Sequence, residues 1–92
     1  MADRQMQIAA DNETRQGIYS NLALISHRQE EFILDYLFVD PQTQATKTDQ
    51  ALLAARIILS PGHMKRLYQA IGENIVKYEK NFGKIVLPPK LR

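Results

Sequence analysis

The sequence contains no cysteine among its 92 residues. A disulfide framework, a thiolate nucleophile and a cysteine-ligated metal site are therefore all excluded. Histidine is scarce as well, since His27 and His63 are the conventional candidates for a metal ligand or a general base. Neither has a second histidine or a carboxylate at the spacing that metal ligands need. We interpret both as polar surface residues, and we expect no metal and no cofactor.

Net charge and long apolar runs are also limited. The formal charge is +2, and such a small basic excess gives only weak support for nucleic-acid binding. No apolar run approaches the roughly 18 residues that a membrane span requires. The N-terminus lacks the apolar segment of a secretory signal. We therefore expect a cytoplasmic protein with no membrane partner.

The motifs of the common enzyme classes are missing. The sequence has no glycine-rich phosphate loop, no nucleophile elbow and no paired catalytic carboxylates. An enzyme would have to build its site across two subunits, around His27, His63 or Asp35. We therefore predict that the protein is not an enzyme.

The length predicts one small domain with polar or extended ends. Residues 1–17 are predicted to form a flexible N-terminal arm, which is either mobile or orders on a neighbouring subunit. Residues 18–84 are predicted to form the single domain. Residues 85–92 are predicted to form an extended tail, because its paired prolines prevent a helix.

Three apolar segments predict strands at residues 18–26, 31–40 and 51–59, although residues 51–55 could also begin a helix. Residues 42–50 between the last two are rich in threonine and glutamine, and form either a flexible tip or a binding loop. The flexible tip is favoured because no residue there carries a recognisable chemistry. The predicted fold class is α+β, with a three-stranded antiparallel meander followed by one long C-terminal helix packed on the sheet.

The helix is predicted from clear start and stop signals. Ser60 can cap its first turn, Pro61 suits the first helical position, and Gly83 suits the end of the last turn. Six apolar residues between them recur at alternating spacings of three and four, which is one face of a helix. They are Met64, Tyr68, Ile71, Ile75, Tyr78 and Phe82. A coiled-coil seam has similar spacing, but the bulk of the tyrosines favours a helix that covers its own sheet.

The middle strand is apolar on both faces, and one helix can cover only one of them. We therefore expect the second face to meet another subunit, giving a homodimer or a larger assembly. The candidate residues of this subunit interface are Ile33, Leu37, Val39 and Leu53.

Asp35 and Arg56 are single charges within apolar strand segments. Burying either alone would be costly. If the second and third strands are antiparallel neighbours, the two residues could form a bidentate ion pair of structural rather than catalytic importance. The alternative is that each side chain points to solvent at a sheet edge.

The basic residues allow a second interpretation, in which a dimer uses them to contact phosphates. We favour a solvated helix face instead, because acidic residues are interleaved with the basic ones. The candidate phosphate contacts are Arg28, Lys65, Arg66, Lys90 and Arg92.

Several collinear segments resemble a small prokaryotic family known as domain of unknown function 3467. They are YSN at 19–21, ISH at 25–27, EFILDY at 31–36, RIILSPGHMKRL at 56–67 and ENIVKYEKNFGKI at 73–85. The resemblance implies a bacterial or archaeal protein with strands followed by one long helix, and no established activity. The family's recurring aspartate and arginine match Asp35 and Arg56, and its serine-proline-x-histidine cap matches Ser60, Pro61 and His63.

The leading functional hypothesis is a non-enzymatic, homo-oligomeric binding or scaffolding module of unknown ligand, with a protein as one candidate partner. The alternative is a nucleic-acid-binding protein that uses a basic surface of a dimer. The composition and motifs leave the ligand, the partner and the number of subunits open.

Overall fold

The computed structural model describes residues 5–40 and 50–88. Internal contacts divide the chain into two compact units. The described residues of the first come from Met1–Leu24 and Asp35–Ile57, and those of the second come from Ile25–Leu34 and Ile58–Arg92. Lys90, Arg92 and residues 41–49, which include most of the predicted binding loop or flexible tip, lie outside the described residues.

The predicted α+β fold class is confirmed. Three strands, β1 (Leu22–His27), β2 (Phe32–Val39) and β3 (Ala51–Leu59), form an antiparallel sheet in the order β1-β2-β3. A long helix follows β3. Consecutive strands are therefore neighbours, as in the predicted meander.

A short helix, α1 (Asn12–Gln16), interrupts the predicted N-terminal arm. The carboxylate of Asp11 caps it by accepting a 2.7 Å hydrogen bond from the backbone N–H of Thr14. Hydrogen bonding from the side chain of Thr14, and then this backbone bond, lowers the pKa of Asp11 because both favour the charged carboxylate. Gly17 ends the helix with φ 82° and ψ 178°, a conformation that is nearly restricted to glycine.

The long helix, α2 (Pro61–Phe82), begins and ends where its sequence signals predict. The Ser60 hydroxyl accepts a 3.2 Å hydrogen bond from the backbone N–H of His63, as an N-cap does. Gly83 follows the helix with φ 101° and ψ 165°. The predicted glycine is therefore used for an extended positive-φ conformation, rather than for the compact left-handed one that usually follows a helix.

Large apolar side chains are buried at two positions among the described residues, Leu34 with 5% and Leu59 with 8% exposure. Leu34 belongs to β2, and the other described residues of that strand are half-buried. No residue of α2 is buried. The six apolar residues of the predicted helix face are therefore exposed or half-buried.

Candidate functional site

The structure brings Asp35 and Arg56 together within the first unit. Arg56 Nε donates to Asp35 Oδ1 at 2.6 Å, and Arg56 Nη2 donates to Asp35 Oδ2 at 2.9 Å. These two parallel bonds have the bidentate geometry that a guanidinium and a carboxylate favour. The Asp35 side chain is 19% exposed, whereas that of Arg56 is 54% exposed.

This contact changes the proton affinity of both groups. The hydrogen bonds from Arg56 lower the pKa of Asp35 below its ordinary value, because they favour the carboxylate. The same bonds raise the pKa of Arg56. Both groups are therefore charged near neutral pH, and the pair joins β2 to β3 as a structural contact.

Two polar residues just before β1 bind the backbone of β2. The Asn21 amide donates to the Val39 carbonyl at 2.9 Å, and the Asn21 carbonyl oxygen accepts from the Val39 N–H at 2.9 Å. The Ser20 hydroxyl lies 2.9 Å from the Leu37 carbonyl oxygen, which also accepts the Asn21 backbone N–H at 3.1 Å. We call Ser20 and Asn21 the strand clamp, because their side chains continue the pairing beyond the end of β1.

Sequence reasoning missed the strand clamp because it began the first strand at residue 18. The apolar side chains of Ile18 and Tyr19 favour that start, but both are exposed and β1 begins at Leu22. The low strand propensity of asparagine is the signal that could have marked the strand end at Asn21.

The two histidines lie in the second unit. His27 is the last residue of β1, and the centroid of its ring lies 5.5 Å from that of Phe32. His63 lies in the first turn of α2 and is exposed. Over residues 5–40 and 50–88, no group of three or more His, Cys, Asp or Glu side chains could hold a metal.

The predicted subunit interface is unevenly exposed. Ile33, Leu37 and Val39 are half-buried on the central strand β2, whereas Leu53 on β3 is 53% exposed. The four residues therefore do not form a uniformly accessible surface.

The described candidate phosphate contacts are all exposed. Arg28 follows β1 in a loop where its backbone N–H donates to the Glu31 carbonyl at 2.9 Å. Glu30 and Glu31 line the same shallow depression as Arg28. Lys65 and Arg66 lie in the second turn of α2 and are exposed.

An exposed apolar feature of the second unit is the α2 stripe, defined as the six apolar residues predicted from the helical spacing. Tyr68 and Phe82 are the most exposed, at 73% and 75%. Met64 is half-buried and the other three are exposed. At 1.5 Å per residue, the stripe extends for about 27 Å along the helix. Its members are Met64, Tyr68, Ile71, Ile75, Tyr78 and Phe82.

An open groove of about 490 Å³ runs along one side of the stripe. The segment after α2 contacts the helix, because the backbone N–H of Ile85 donates to Glu79 Oε2 at 2.9 Å. The groove is mostly apolar and could cover apolar side chains of a partner. Its lining consists of Leu67, Ala70, Ile71, Asn74, Ile75, Tyr78 and Ile85.

A family model described as "Protein of unknown function (DUF3467)" matches residues 1–87. The chain belongs to this family. The match to DUF3467 extends over the N-terminal segment and over residues 41–50, which the collinear motifs do not include. No curated protein and no solved structure matches the chain. Within the described part of this DUF3467 protein, neither helix has both the length and the apolar character that a membrane span needs.

Proposed function

We propose that this DUF3467 protein is a non-enzymatic binding or scaffolding module that works as a homo-oligomer. The observation that carries the proposal is the exposure of the α2 stripe. Contiguous apolar surfaces of this kind are typical of sites where proteins associate. Tyrosine and phenylalanine, which are the most exposed members of the stripe, are also enriched in protein interfaces.

The small amount of internal burial supports the same proposal. Among the described residues, Leu34 and Leu59 are the buried hydrophobic side chains, while many large apolar side chains are exposed. Fully burying one such side chain contributes about 1.5–3 kcal/mol. A second copy that covers the stripe would therefore add substantially to the stability of each chain.

The nucleic-acid alternative has less support from the charges. Twelve basic residues are offset by ten acidic ones, and two of the acidic residues, Glu30 and Glu31, adjoin Arg28. A phosphate-binding surface needs a local excess of cations. A protein surface is therefore the partner that we favour.

Sedimentation velocity of the full chain tests the proposal, from about 1 to about 100 μM, a range that covers weak to moderate dissociation constants. We expect a dimer or a larger species that dissociates on dilution. The melting temperature should rise with protein concentration, because association stabilises the folded state. A single monomeric species over the whole range, with a constant melting temperature, would contradict the proposal.

A further inference from the structure

The α2 stripe has the residue order of an antiparallel helix pair. Its alternating spacing of three and four is that of the a and d positions of a heptad. When two copies run in opposite directions with residue 73 at the centre, equivalent types meet. Ile71 lies against Ile75 of the second copy at the centre, where the helices are closest. Tyr68 lies against Tyr78 in the next layer, so the bulk of the tyrosines, which disfavours a tight seam over its full length, does not limit the central contact. The outer layer places Met64 against Phe82, a contact that a thioether and an aromatic ring favour.

The charges beside the stripe distinguish the two possible directions of pairing. Lys65 and Glu79 each follow a d position, at the e positions that flank a heptad seam. In the antiparallel arrangement, Lys65 of one copy lies beside Glu79 of the other, and this contact occurs twice. In a parallel arrangement, the basic residues Lys65 and Arg66 of both copies would gather at the same end.

The local structure of the helix fits this arrangement. Glu79 is half-buried, and its Oε2 is fixed by the backbone N–H of Ile85. Gly72 lies next to the centre of the stripe, and a Cβ added there would have no neighbour within 4 Å. Antiparallel pairing also sets the two helix dipoles in opposite directions.

We propose that α2 pairs with α2 of a second copy in antiparallel orientation, with the α2 stripe as the seam and Lys65–Glu79 ion pairs on its flank. This inference rests on the proposed homo-oligomeric function and identifies the surface that carries it. It assigns the subunit contact to the helix instead of the predicted set of Ile33, Leu37, Val39 and Leu53.

Disulfide trapping tests the direction of pairing, because the natural chain has no cysteine. Ile71→Cys and Ile75→Cys are prepared separately in the full chain, one of them labelled with ¹⁵N, then mixed and oxidised with oxidised glutathione. Glu73→Cys is the matched control, since residue 73 lies at the same height on the opposite side of the helix. Mass spectrometry then distinguishes mixed disulfides from those between identical chains.

We expect the mixed disulfide between positions 71 and 75 to predominate. In the antiparallel arrangement, identical positions are displaced by about 6 Å along the axis, which opposes a disulfide between them. Disulfides that form mainly between identical chains would indicate parallel pairing and overturn the proposal. If sedimentation finds an oligomer but neither variant is trapped, the proposed function stands and the α2 seam is wrong. A monomer in sedimentation would overturn both.

Charge substitutions give a second test that needs no oxidation. Ile75→Glu places a charge in the seam and should raise the dimer dissociation constant by about 100-fold or more. Val76→Glu places the same charge on the adjacent exposed residue outside the stripe, and should change the constant by less than about threefold. Equal effects of the two substitutions would overturn the assignment of the seam.

Lys65→Glu tests the flanking ion pair. In the antiparallel arrangement this variant sets two carboxylates side by side, so dimerisation weakens and the loss diminishes with added salt. In a parallel arrangement the same change would relieve repulsion between basic residues and strengthen the dimer. Arg66→Glu is the control, because residue 66 lies on the outer side of the helix. A gain in affinity for Lys65→Glu, or an unchanged affinity, would contradict the antiparallel direction.

Discussion

Arg56 holds both carboxylate oxygens of Asp35, at 2.6 Å through Nε and at 2.9 Å through Nη2. The contact joins neighbouring strands, and the side chain of Asp35 is much less exposed than that of Arg56. Because the charged form of Asp35 is favoured in the folded protein, the stabilising effect of the pair depends on pH.

The sign of this dependence follows from the lowered pKa of Asp35. The stabilisation is present above the ordinary aspartate pKa of about 3.9, and it is lost as pH falls through the lower pKa of the folded state. We expect Asp35→Asn to melt at a lower temperature than the natural chain at pH 7, with the difference shrinking below about pH 4. Thermal unfolding followed by circular dichroism measures this, with the exposed Glu73→Gln as control. A difference that stays constant to pH 2 would contradict this origin.

The strand clamp predicts that the protein loses stability when the side-chain amide of Asn21 is removed. Asn21→Ala removes both hydrogen bonds to Val39 and should lower the free energy of unfolding by about 1 kcal/mol, since a single neutral bond contributes about that much and this site is exposed. Urea unfolding at fixed protein concentration measures the change. Asn81→Ala makes the same replacement at an exposed helix position and should not destabilise the protein. An equal loss for both variants would rule out the specific role of Asn21.

Gly83 and Gly72 provide a matched pair of glycines. Gly83→Ala should destabilise by about 1–3 kcal/mol, because the φ of 101° and ψ of 165° at this position suit glycine alone. Residue 72 lies within α2, where an added Cβ has open space. Gly72→Ala should therefore stabilise the helix by about 0.5–1 kcal/mol. Chemical unfolding of the two variants should therefore give changes of opposite sign. Two changes of the same sign would show that helix propensity and backbone strain do not govern these positions.

The buried leucine of β2 predicts the largest loss of stability. Leu34→Ala should cost about 2–5 kcal/mol, because it removes a buried side chain and leaves a cavity. Leu52→Ala removes the same atoms from an exposed position of β3 and should cost clearly less. Urea unfolding of both variants at one protein concentration separates internal packing from association. Similar losses would mean that Leu52 is covered in the assembled protein.

Local signals in the sequence were sufficient for α2, whereas for β3 they left a helical start at residues 51–55 open. Ser60, Pro61 and Gly83 act within one turn of the helix ends, so their effect does not depend on the rest of the fold. The third strand was predicted at residues 51–59 and lies at Ala51–Leu59. By contrast, α1 was missed because a helix of five residues is decided by a few bonds, such as the one from Thr14 to Asp11.

The partner of an apolar face could not be predicted from its periodicity. The spacing shows that Tyr68, Ile71 and Ile75 share one side of α2, but not whether the same chain covers that side. The sequence interpretation assigned that side to the sheet, and Tyr68, Ile71 and Ile75 are 73%, 49% and 42% exposed. The Asp35–Arg56 pair required only that two neighbouring strands align, so the sequence could suggest it.

The order of the sheet has a consequence for the exchange of backbone hydrogens with solvent. Because β2 lies between β1 and β3, its N–H groups have strand neighbours on both sides, whereas each outer strand has a neighbour on one side. In deuterium oxide, the amides of residues 33–38 should therefore exchange slowest in the sheet, and alternate amides of β1 and β3 should exchange early. The strand clamp should extend this slow exchange to Val39, whose N–H is held by a side chain beyond the end of β1.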